Sequence, residues 1–132
     1  METKIPRAQV GEKRIIVQEK DTAKVFNSGL VEVFATPAMI ALMEEVAHNS
    51  IQGFLPNGIT SVGSLINVKH IKATPVGMEV YCKSIVTSIE GRKIRFLIEA
   101  FDERGQIGEA FHERVLVNAK EFLEKTNKKA QE

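Results

Sequence analysis

Three polar side chains interrupt apolar stretches of this sequence at intervals that could gather them into one site: Thr36, Glu44 and His70. On a helix turning ~100° per residue, Glu44 projects near Ile40, Ala47 and Ile51, at the edge of an apolar arc. A carboxylate half-way into such a face suits acid–base work. Its plainer reading is a boundary glutamate with its stem on the core and its head in water. His70 lies in strand phase with Val62, Ser64, Ile66 and Val68, so it points to the side that should face the helix. Alone it would be a core histidine satisfied by a carbonyl, but a glutamate on the same buried face shifts the balance. Thr36 stands before Pro37 as an N-cap, which would occupy its hydroxyl with a backbone N–H. Beside a carboxylate and an imidazole, that hydroxyl could instead attack or position water. The helix terminus offers free N–H groups to an oxyanion.

Two further residues belong with these. Gly63, inside a strand, implies either close backbone approach by a ligand or another strand, or a β-bulge. Arg114 alternates with Val115 and Val117 and is either a surface charge or a partner for the carboxylate. His48 and His112 lack an evident partner and read as surface or packing residues; Glu45 and Glu113 read as solvated.

The elements that must position these residues follow from pattern. A short β-like run, Ile15-Ile16-Val17, lies within Lys13 to Lys20. Residues Asp21 to Phe34 hold six apolar side chains around an Asn27-Ser28-Gly29 turn and read as a packed lid. Thr36-Pro37 opens a largely buried helix running to about Phe54, stopped by Gly53 and Leu55-Pro56-Asn57-Gly58. Four long alternating segments follow, at 59–74, 78–89, 92–101 and 106–118, joined by hairpin-like turns. A weaker helix from Ala119 to about Lys125 closes the chain, with 126–132 as a frayed tail. A curved antiparallel sheet wrapped round one helix satisfies this order, an α+β hotdog. Strands longer than one helix can cover suggest a second copy, hence a homodimer.

At 132 residues the chain has the size of a single domain. Its 18 basic and 17 acidic residues leave a net charge of +1, which gives no general field for nucleic acid. The lone Cys82 excludes an intramolecular disulfide, no Cys/His spacing suggests a metal, and a cytoplasmic location fits. No stretch approaches a membrane span. Serine-triad elbows, phosphate loops and dinucleotide fingerprints are missing.

The segments Val33 to Glu44, Thr60 to Ser64, Val68 to His70, Ala73 to Gly77 and His112 to Arg114 resemble the fluoroacetyl-CoA thioesterase family of hotdog proteins. The likeness runs in register from about residue 10 to residue 125. It implies catalytic roles for Thr36, Glu44 and His70, and substrate binding by Gly63 and Arg114. The implied reaction is hydrolysis of an acyl-CoA thioester, with no cofactor beyond the CoA of the substrate. The stretch Asp21 to Val33 departs from the bulky lid of the fluoroacetyl-specific enzyme, so an ordinary short or medium acyl group is expected. CoA phosphates would meet Lys69, Lys72 or Arg92. Two rivals are a hotdog hydratase or dehydratase and a non-catalytic acyl-CoA binding module. The Thr36–Glu44 spacing and the absence of an Asp-xxxx-His string count against the hydratase.

Overall fold

The structure, a computed structural model, describes residues 4–131. Five strands form one antiparallel sheet: β1 (Val10–Ile16), β2 (Ile59–His70), β3 (Glu79–Glu90), β4 (Lys93–Asp102) and β5 (Gly105–Asn118). Their order across the sheet is β1-β3-β4-β5-β2, so β1 and β2 are its edges. The long helix α1 (Thr36–Gln52) lies against the sheet and touches β1, β2, β3 and β4.

Alternation explains the packing. On β4, Ile94, Phe96, Ile98 and Ala100 are buried while Lys93 is exposed. From α1, Met39, Leu42, Met43, Val46, Ala47 and Ile51 enter the same core. Each of the larger side chains contributes about 1.5–3 kcal/mol by leaving water. Gly11 on β1 lets α1 come close: a Cβ there would stand 2.6 Å from Ser50 Cβ and 2.8 Å from the Val46 carbonyl oxygen.

Several boundaries differ from expectation. The first strand begins at Val10, because pairing with Ile85 to Glu79 of β3 sets its limits, and its local apolar run covers only the end. β2 stops at His70, where the Ile71 and Lys72 N–H groups both turn to the Ile107 carbonyl. The segment between Asp21 and Phe34 is anchored at its ends by bridges Thr22 to Phe34 and Val33 to Pro75. Its tip is not packed as expected: Leu30 is 93% exposed and Val31 64%. The end of the chain is ordered further than expected. Helix α2 (Ala119–Asn127) is capped by Asn118 and continues into a 3-10 turn, Lys128–Gln131.

A bulge breaks β2 between Gly63 and Leu65. Residues before and after it therefore face the helix with opposite parity. Ser61 is buried before it, and Ile66, Val68 and His70 turn inward after it, so Ser64 and Val62 are not in phase with His70 as the unbroken alternation implies.

Candidate active site

Helix α1 starts one residue earlier than its sequence suggests. Ala35 is the N-cap, in extended conformation, and Thr36 is the first helical residue. The Ala35 carbonyl takes the first helical bond, from Met39 N–H. The expected capping role of Thr36 is thus corrected, and its hydroxyl is left to point outward. It meets His70, with Thr36 Oγ1 to His70 Nδ1 at 2.7 Å.

The two side chains line a cavity of about 320 Å³, walled by Val33, Phe34, Ala35 and Ile71, with Lys72 at its rim. The edge of the Phe34 ring packs against the imidazole, their centroids 6.5 Å apart. Nε2 of His70 is buried without a hydrogen-bond partner. Burial holds this imidazole below the usual histidine range, with the Lys72 backbone opposing. It is therefore neutral at pH 7 and able to exchange a proton with the threonine. Lys69 and Arg92 do not line the cavity.

Glu44 belongs to a second polar group. It lies eight residues beyond Thr36, or ~12 Å along the helix axis, so the chain does not bring the two into contact. Its side chain is 43% exposed, more open than a place half-way into an apolar face suggests. Arg114 of β5 reaches it, with Nη1 3.6 Å from Oε2. Gly63 sits at the bulge, and what approaches it is neither a ligand nor another strand but Glu44 Oε2, which would lie 2.7 Å from a Cβ built there.

Arg114 is buried and held from several sides. Its Nε donates to Ser61 Oγ at 2.7 Å and Nη2 donates to the Ser61 carbonyl at 3.1 Å. Burial lowers its pKa and Glu44 raises it, yet a guanidinium stays charged in such a setting. His112, read from sequence as surface or packing, is 2% exposed and lies 3.2 Å from Arg114 Nη1. Only its position two residues before Arg114 on one strand, hence on the same face, signalled this role. His48 follows Glu44 by one helical turn, with Nδ1 buried and unpartnered; burial first, then the Arg114 charge, lower its pKa.

A long helix wrapped by a curved antiparallel sheet is the hotdog arrangement. The profile of the family described as fluoroacetyl-CoA-specific thioesterase, FlK, matches residues 17–120, and the chain belongs to that family. It is 36% identical over 98 residues to the fluoroacetyl-CoA thioesterase of Streptantibioticus cattleyicolor, covering 74% of this chain and 70% of the relative. A solved structure of the fluoroacetyl-CoA thioesterase FlK superposes with a TM-score of 0.88 at 28% identity, covering 94% of this chain and 96% of that one. A hot-dog-like protein from Thermanaerovibrio acidaminovorans shares the fold at a TM-score of 0.88, 24% identity and 95% and 93% coverage.

Proposed function

We propose that the chain hydrolyses a short or medium acyl-CoA thioester to the free acid and CoA, as a homodimer. The observation that carries this reading is the hydrogen bond between Thr36 and His70 at the wall of a pocket lined by both apolar and polar side chains. Hydrolysis adds a water oxygen to the thioester carbonyl, breaks the C–S bond and returns a proton to sulfur. A neutral His70 can accept the proton released through Thr36 and deliver it to the departing thiolate. The first turn of α1 offers the N–H groups of Thr36 and Ala38, Pro37 having none, to the oxyanion formed on attack.

Glu44 serves the attack on the carbonyl, either directly or through water, with Arg114 and the Gly63 backbone fixing it. Since Thr36 and Glu44 stand ~12 Å apart along one helix, we assign the two halves of each site to different protomers. The free edge of β2, which carries both His70 and Gly63, supports pairing with a second copy. Among the described residues no helix is long and apolar enough to cross a membrane. The lone buried thiol of Cys82, pushed up to about 12 by burial, is consistent with a reducing cytoplasm.

Two of the named relatives are fluoroacetyl-CoA thioesterases. The exposed tip of the 21–34 segment, with Leu30 and Val31 in solvent, favours an ordinary acyl group here. Lys72 is the cation best placed for a CoA phosphate. The test is thiol release from fluoroacetyl-CoA and acyl-CoAs from acetyl to palmitoyl, with Glu44→Ala and His70→Ala beside the wild type. Turnover lost in both variants supports the hydrolase. CoA-ester binding without any turnover would instead make the chain a binding module.

A further inference from the structure

His112 has no part in the reaction as described, yet it is among the most enclosed polar side chains of the molecule. Its Nδ1 lies 2.8 Å from the Leu65 carbonyl oxygen. A carbonyl can only accept, so the contact requires a proton on Nδ1. In a neutral ring that leaves Nε2 as a bare lone pair, 3.2 Å from Nη1 of Arg114 and positioned to accept from it. The ring plane is fixed by Phe96, with centroids 5.8 Å apart and a 31° tilt.

Arg114 is thereby fastened at both ends. Ser61 takes Nε and Nη2, while Nη1 is shared between His112 and the Glu44 carboxylate. Without the imidazole, Nη1 has no fixed neighbour except the half-exposed carboxylate it is meant to hold. We propose that His112 is a positioning residue, which orients the Arg114 guanidinium and through it places Glu44 for attack. The role rests on the hydrolase reading above.

The tautomer matters as much as the contact. Protonation would turn Nε2 into a donor and set a second cation against Arg114. The charged and titratable groups around the pair are Arg114 and Glu113 on β5 with Glu44 and His48 on α1; β2 contributes the Leu65 carbonyl and β4 the Phe96 ring. Burial, the largest effect, lowers the His112 pKa and Arg114 adds to it; the Leu65 carbonyl, Glu44 and Glu113 oppose. The net direction keeps the imidazole neutral.

Two amides separate the ring's functions. His112→Gln sets an acceptor near Nε2 and so retains the bond to Arg114. His112→Asn keeps a donor for Leu65 but gives Arg114 nothing. With kcat and KM measured on the best acyl-CoA, His112→Asn should lower kcat about tenfold or more, and His112→Gln less than about threefold. In an Arg114→Gln background neither change should cost further activity, because both act through one guanidinium. Equal losses in the two variants, losses that multiply with Arg114→Gln, or no loss at all would overturn the proposal.

A second readout does not depend on turnover. Side-chain nitrogen NMR of the wild type should show His112 protonated at Nδ1 and bare at Nε2 at neutral pH, and still so at pH values where an exposed histidine has gained its second proton. A proton on Nε2, or titration at the ordinary histidine value, overturns the proposal even in an active enzyme. If the wild type hydrolyses nothing, the hydrolase reading fails and with it the catalytic purpose of His112; the orientation of Arg114 is then decided by the NMR result.

Discussion

A methyl group added at Gly63 would stand 2.7 Å from Glu44 Oε2, closer than packed atoms tolerate. The atom it meets is the free end of a flexible side chain, which can swing away. Gly63→Ala should therefore leave stability within about 0.5 kcal/mol of wild type, as for a change that disturbs no core. It should lower kcat by one to two orders of magnitude, since roughly 1 Å of misplacement can cost about 100-fold. Chemical denaturation beside steady-state kinetics would check both halves; an unimpaired kcat would show that Glu44 need not sit on this glycine. Titration also belongs to this scale. Burial lowers the pKa values of His48, His70 and His112. Below the unfolded value of about 6.5 the unfolded chain then holds more protons than the folded one. Stability contributed by these neutral rings is complete above that pH and is lost as pH falls toward their folded values. The melting temperature should thus decline as pH falls below about 6.5, and less steeply in His112→Gln. Equal slopes in both proteins would contradict a buried neutral His112.

At the scale of elements, the contact between α1 and β1 answers differently to the same substitution. A Cβ at Gly11 would strike Ser50 Cβ and the Val46 carbonyl oxygen, both parts of the helix itself. Gly11→Ala should destabilise by about 1–3 kcal/mol, the usual cost of overpacking, and the urea midpoint will show it. Activity per folded molecule should change little, because the atoms a Gly11 Cβ would meet belong to Val46, Ser50 and Ser84 and none to Thr36, Glu44 or His70. The order of elements was legible because period-two and helical patterns alternate cleanly from residue 36 onward, as in Ile94, Phe96, Ile98 and Ala100. What escaped was set by distant partners. β1 is longer than its apolar run because β3 offers pairing, and the β2 bulge leaves no local signature beyond one glycine. Thr36 was legible as a candidate but was mistaken for a cap, since the preference for threonine before proline is indifferent to which residue closes the helix. The clamp on Arg114 was hidden for a similar reason: Ser61 and Leu65 reach it only because β2 pairs with β5.

For the whole molecule, the separation of Thr36 from Glu44 yields a test by mixing. Thr36→Ala and Glu44→Ala should each be nearly inactive as pure proteins. If each site draws Thr36 and His70 from one protomer and Glu44 from the other, a heterodimer of the two variants has one intact site. Unfolding and refolding an equimolar mixture should then restore roughly a quarter of wild-type activity, as random pairing into closed two-fold dimers dictates. No recovery, from a mixture shown by sedimentation to be dimeric, would place both halves of the site within one chain or remove their cooperation altogether. Sedimentation of the wild type over a range of concentrations would test the dimer independently.

The bulge in β2 makes the length of that strand part of the chemistry. Ser61 and Gly63 before it, and His70 after it, face the helix only because one extra residue changes the parity between them. Side chains along the outward positions, such as Asn67 or Lys69, can be exchanged with little consequence. Removing a single residue between Gly63 and Leu65 would instead turn either the seat of Glu44 or the imidazole away from the helix. Across descendants of this gene, the outward positions of the segment should drift freely while its residue count stays fixed.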